Sequence, residues 1–141
     1  DIVTARVNGL APETVWRRRP SHVREWERML SDEGTTIVKV FLNVSKEEQR
    51  KRFQERIDDP EKRWKFRLED LDVRKRFEDY LAAYDEAITE TSTEWAPWYV
   101  VPADRNWVKS LAVAQLLVAE LERMDPQSPP PQPGVENVVI E

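Results

Sequence analysis

Two arginines four residues apart, Arg52 and Arg56, are the residues in this chain best suited to chemistry on phosphate. A guanidinium fork binds phosphate oxygens through paired hydrogen bonds, and positions three and four apart share a helix face. Gln49 belongs to the same face. Beyond Asp58-Asp59-Pro60, which should stop that helix, Lys62, Arg63, Lys65 and Arg67 cluster around Trp64 and Phe66. Arg74, Lys75 and Arg76 follow on a further charged helix. Between Lys46 and Arg76 twelve basic residues face nine acidic ones, leaving this segment at +3 and the rest of the chain at −8. A local positive field in an acidic protein attracts polyanions. The same charges also suit a solvated helical hairpin laced with intrahelical ion pairs.

The elements that must position these residues can be read around them. Thr36 to Val44 is an apolar, β-branched run with the character of a buried strand. Ser45-Lys46-Glu47-Glu48 then reads as a capping box. The Ser45 hydroxyl accepts from the Glu48 amide, and the Glu48 carboxylate reaches back to the Ser45 amide. Downstream, Leu71 opens a long helix with Phe77, Tyr80, Leu81, Tyr84 and Ile88 at three- and four-residue spacing. Its other face carries Glu78, Asp79, Asp85, Glu86 and Glu90. Trp98 to Pro102 reads as a second buried strand, delivering Ala103, Asp104 and Arg105 into a loop at its carboxyl end. A final helix from about Asn106 to Met124 is apolar around most of its girth and should lie against a sheet.

Upstream, Asp1 to Val7 reads as a strand ended by Asn8-Gly9, and its abrupt start suggests a piece of a longer protein. Pro12 to Trp16 opens a helix. Arg17, Arg18 and Arg19 splay around a helix or loop and suit solvation or a protein contact as well as phosphate. Ser21 can cap the next helix, in which Val23, Trp26, Met29 and Leu30 form a core stripe. His22 reads as a surface residue. From Asp125 the prolines predict an extended tail, with Val135 to Ile140 able to add as a strand or to remain free.

Composition narrows the classes. The 141 residues suit one domain, and 40% hydrophobic content with six tryptophans argues for a folded chain. There is no cysteine, so neither disulfides nor thiolate chemistry is available. No signal-peptide pattern or membrane-length apolar run occurs, so a soluble protein is expected. Strands separated by helices imply βαβ units and a mostly parallel sheet.

The order of motifs is more specific than the charge. KVFLNVSKEEQRKRFQERIDDPEKRWKF, then EDL, then TSTEWAPWYVVPAD and a proline-rich tail resemble the second family of polyphosphate kinases, from about Val3 to about Gly134. That family moves phosphoryl groups between inorganic polyphosphate and nucleotides. Arg6 and Val7 match the end of its VVRVH stretch, but Asn8 stands where many relatives carry histidine.

The resemblance implies an α/β fold, the three-layer α/β/α sandwich of P-loop kinases, present here in part, with a helical lid over about residues 46–76 and the proline-rich tail at 125–141. It implies polyphosphate and a nucleotide (ADP, GDP or AMP) as substrates, magnesium as cofactor and a cytoplasmic homo-oligomer; the acidic overall charge, the core spacing of the aromatics and the lack of a membrane-length apolar run argue against a nucleic-acid or membrane partner. Arg52 and Arg56 would be catalytic. Lys65 and Arg74 would extend a cationic track, and the Asp104 loop would sit beside the substrate. Asp70 would orient a cation or merely cap a helix. No glycine-rich phosphate loop can be built from Gly9, Gly34 and Gly134. In the family that loop and the magnesium-holding acid lie upstream of the matched region, so this chain alone should bind nucleotide weakly and transfer nothing. A nucleoside-monophosphate kinase and a noncatalytic assembly module remain as rivals.

Overall fold

The computed structural model describes residues 2–140. Its centre is a pair of parallel strands, β1 (Lys39–Asn43) and β2 (Trp98–Pro102), paired from Lys39 opposite Trp98 to Asn43 opposite Pro102. The connection between them runs through α4 (Lys46–Asp58), a 3₁₀ turn (Arg63–Lys65), α5 (Glu69–Lys75) and α6 (Phe77–Thr91). α1 (Val3–Val7), α2 (Glu13–Trp16) and α3 (Arg19–Asp32) precede the sheet, and α7 (Asn106–Met124) follows it.

Alternation along β1 sets the layers. Phe41 meets Tyr84 of α6 with ring centroids 5.0 Å apart, while Leu42 lines a groove with Val113 and Leu117 of α7. Successive side chains of a strand point to opposite faces, so helices cover both sides of the sheet. Phe41, Leu42, Asn43 and Val44 all line one cleft of about 310 Å³. Four consecutive residues can share a cleft only along a strand's edge, and this edge of β1 has no partner strand among the described residues.

The first helix corrects the strand expected over residues 1–7; Asp1 lies outside the described residues. Val3 and Val7 are one helical turn apart, and Val3 packs with Ala83 and Ala87 of α6, with Ile2, Val7 and Tyr80 around them. Two alanines let the helices approach closely, and that contact overrides the strand preference of a short β-branched run. Arg6 pairs with Glu86 and lies 4.8 Å over the Trp16 ring. Gly9, at φ +63°, ends the segment as expected.

α3 also departs from its expected orientation. It starts at Arg19, and Ser21 lies inside it, its hydroxyl donating to the Arg18 carbonyl at 2.8 Å rather than capping. The face turned inward carries Pro20 and Glu27, while Trp26 and Met29 of the expected stripe are 59% and 55% exposed. The reason is ionic: Glu27 meets Lys39 of β1 at 2.6 Å with both side chains nearly buried. Lys39 also donates to the Thr91 carbonyl at 2.7 Å and lies 5.3 Å from the Trp98 ring centre. His22 is exposed, as expected.

α7 has the expected bounds, but no residue of it is buried, and Trp107, Leu111, Val118 and Leu121 are exposed. Its apolar girth exceeds what β2 can cover. Asp125 adopts left-handed φ +43° and ends the helix just before Pro126. The tail beyond is exposed, and Val135–Asn137 forms a 3₁₀ turn instead of a strand. Deleting residues 126–141 should therefore leave the urea midpoint unchanged; a marked fall would reveal a docked tail. No helix among the described residues is long and apolar enough to cross a membrane.

Candidate functional site

The carboxyl ends of the two strands meet where the Ala103 amide donates to the Asn43 carbonyl at 2.9 Å. The α4 hairpin springs from this corner. Ser45 caps α4 with its hydroxyl, which accepts from the Glu48 amide at 3.1 Å. The reciprocal half of the expected capping box is replaced. The Ser45 amide donates to Asp104 at 2.7 Å, and the Glu48 carboxylate turns instead to Arg52 Nε at 2.9 Å. Arg52 Nη2 then reaches the carbonyls of Ala103 and Asp104 at 2.7 and 3.1 Å. Arg52 thus ties α4 to the loop after β2, and among the described residues its Nη1 makes no hydrogen bond.

The Asp104 carboxyl is held below the usual carboxylate range, first by the Ser45 amide, then by the Ser45 hydroxyl, with Arg52 adding attraction. A depressed folded-state pKa contributes stability above the ordinary carboxylate value and loses it as pH falls through the folded one. Protection of the Ser45 amide from exchange, corrected for intrinsic rates, should therefore drop on acidification below the ordinary carboxylate range. In Asp104→Asn the protection should be lower at neutral pH and lack that step.

Farther along the same face, Arg56 stacks 5.6 Å from the Phe53 ring centre, half-buried, and makes no ion pair or hydrogen bond among the described residues. The Phe53 ring meets Phe66 edge-on at 5.6 Å, which folds the 3₁₀ turn back onto α4. Lys65 is exposed, 5.2 Å over the Trp64 ring. Arg74 closes the hairpin's base, donating to the Lys46 carbonyl at 2.7 Å and to Gln49 at 2.9 Å. Asp70 lies inside the first turn of α5, where its carboxylate accepts from the Arg67 amide at 3.3 Å; the N-cap position itself falls to Leu68, with no side-chain hydrogen bond.

The long helix expected from Leu71 breaks at Arg76, whose backbone (φ −101°, ψ 27°) separates α5 from α6. Its guanidinium reaches across to the Val7 carbonyl at 2.8 Å and to the Asn8 side chain, which also accepts from the Tyr80 hydroxyl at 3.2 Å. Sequence reasoning counted Arg76 only as charge. Asn8, noted as a departure from the family's histidine, is a structural acceptor here.

Seven of the twelve cations between Lys46 and Arg76 have a carboxylate partner. So the ion-pair-laced hairpin is real, but it leaves five without one among the described residues: Arg56, Arg63, Lys65, Arg74 and Arg76. Three of these spend hydrogen bonds on neutral oxygens, which orient a cation without cancelling its charge. Among the described residues no group of three His, Asp or Glu side chains could hold a metal ion. The described residues do not fit a magnesium site.

Parallel strands covered on both faces, with a cationic hairpin rising from their carboxyl ends, define an α/β protein of the P-loop-kinase kind. Residues 1–129 match the family model described as Polyphosphate kinase 2, and the chain belongs to that family. An AMP/ADP-polyphosphate phosphotransferase of Meiothermus ruber is 54% identical over 141 residues, covering all of this chain and 53% of the relative. A GDP-polyphosphate phosphotransferase of Mycobacterium tuberculosis is 37% identical over 114 residues, 78% of this chain and 39% of the relative. The crystal structure of Polyphosphate Kinase 2 from Arthrobacter aurescens TC1 superimposes with a TM-score of 0.90 at 43% identity, over 97% of this chain and 48% of that one. The chain thus spans about half the length of these two full matches.

Proposed function

We propose that this chain is the hairpin-bearing part of a phosphotransferase that moves phosphoryl groups between inorganic polyphosphate and a nucleotide, ADP, GDP or AMP. The observation that carries the reading is the group of five cations without a carboxylate partner among the described residues, set on a hairpin at the strands' carboxyl ends. Phosphoryl transfer needs little covalent help from protein. It needs charge spread over the transferred oxygens to be met by fixed positive groups.

In this reading residues 46–76 are a lid. Arg56 lies open to the developing charge on the transferred group. Arg52 holds the strand-end loop and offers Nη1 to phosphate. Lys65 prolongs the track along the polyphosphate chain, Arg74 keeps α5 against α4, and Asp104 fixes the root of the lid. Ligands for the magnesium ion that nucleotide phosphates bring would come from outside residues 2–140. A cytoplasmic location and assembly into dimers or tetramers belong to the same reading and rest on the resemblance alone.

The test is a graft in which this chain replaces the matching half of the Meiothermus relative. The graft should phosphorylate ADP or AMP with polyphosphate as sole donor, and the 141 residues alone should not. Turnover with ATP but none with polyphosphate would favour a nucleoside-monophosphate kinase. Binding of polyphosphate by the isolated chain should weaken steeply with salt and fall severalfold when Lys65 becomes alanine; a salt-independent affinity would contradict electrostatic capture.

A further inference from the structure

Trp64 is 78% exposed at the tip of the hairpin, yet it is held in place with some care. It sits in the 3₁₀ turn Arg63–Lys65. Asp59 accepts from the Glu61 amide at 3.0 Å, and Arg63 Nε donates to the Ile57 carbonyl at 2.8 Å. The Phe53–Phe66 contact pins the turn from beneath. An ordered indole left in water forgoes the stabilisation that burying an aromatic ring brings, which points to a partner that covers it.

The surroundings say what that partner is. Lys65 lies 5.2 Å over the ring, and neither Lys65 nor Arg63 has a carboxylate partner among the described residues. A ring face beside unneutralised cations fits a ligand with a flat apolar part joined to phosphate. Inorganic polyphosphate has phosphate but nothing flat. A nucleic-acid strand would call for successive aromatic platforms. Phe53 and Phe66 are engaged with each other, so Trp64 offers a single one.

We infer that Trp64 is a nucleobase platform: it stacks on the base of the nucleotide, beside the cationic track that Arg63 and Lys65 present to phosphate. Stacking on an indole is tolerant of base identity, because every base has a π-face. Such tolerance suits a family whose members are named for both adenine and guanine nucleotides. The inference takes its substrate class from the phosphotransfer reading, but binding alone tests it.

The experiment uses the indole N–H resonances of the 141-residue chain, with the Trp64 signal assigned by its loss in Trp64→Phe among the six tryptophans. ADP, GDP and linear tripolyphosphate are titrated separately. The Trp64 signal should move markedly with ADP and GDP and much less with tripolyphosphate, which meets Lys65 beside the ring but cannot stack on it. Trp64→Leu should weaken ADP binding roughly tenfold, the scale of one stacked base, while tripolyphosphate binding changes less than about twofold. Trp64→Phe should retain most of the ADP affinity. Equal movement with tripolyphosphate, or none with either nucleotide, overturns the inference. A graft that fails to use polyphosphate while the Trp64 signal responds to nucleotides would sink the phosphotransfer reading and leave this one standing.

Discussion

Arg56→Ala in the graft should lower turnover about a hundredfold or more, with the melting temperature nearly unchanged. The expected size is that of removing one preorganised donor from a developing charge, and a hundredfold corresponds to roughly 2.7 kcal/mol of barrier. The structure separates this residue from its neighbours. Among the described residues Arg56 makes only a stacking contact with Phe53, whereas Arg52 also carries the connection from α4 to Ala103 and Asp104. Arg52→Ala should therefore cost stability as well as turnover, so the Arg56 variant is the cleaner measurement. Lysine at position 56 should recover part of the rate, because it restores charge without the fork. Turnover in Arg56→Ala within threefold of the parent would remove it from the chemistry.

Glu27→Ala should destabilise the chain by about 3–5 kcal/mol in urea unfolding, far more than a surface ion pair is worth. The cost comes from the residue left behind. Lys39 would stay enclosed with only the Thr91 carbonyl and the Trp98 face around its ammonium. Replacing both charges with apolar residues of similar size, Glu27→Leu with Lys39→Met, should recover most of the loss. A fall below 1 kcal/mol in the single variant would show that water reaches the pair. The position matters for function, since Lys39 starts the strand whose far end sets the position of Ser45.

Features governed by neighbours in sequence were readable without a structure. The Ser45 cap, the stop at Asp58-Asp59-Pro60, the presence of both strands and the bounds of α7 depend on local turn chemistry and periodicity; the burial expected of the strands did not follow, since β1 is confined to Lys39–Asn43 and Leu42 and Val100 are exposed. The misreadings share a cause: the deciding partner is remote. Val3 and Val7 look like strand until Ala83 and Ala87 are known to face them. Trp26 and Met29 look like core until Glu27, on another face of α3, is found paired with Lys39. Glu48 was expected to complete the capping box, but Asp104, 59 residues away, takes the Ser45 amide and frees Glu48 for Arg52. At the site, the cationic character of Arg52, Arg56, Lys65 and Arg74 was legible. Which of them are occupied by backbone oxygens was not, nor was the exposure of Trp64. Helical spacing reports which residues share a face but not what lies opposite.

The hairpin is fastened at both ends, by the Ser45–Asp104 contact where it leaves the sheet and by the grip of Arg76 on Val7 and Asn8 where it returns. With Arg52 strengthening the first of these anchorages, motion of the hairpin would be confined to rotation about the line joining the two, like a gate on two hinges. Arg56 and Lys65 would then arrive over a ligand together and at fixed spacing, and loosening either anchorage would spoil their timing rather than their charge.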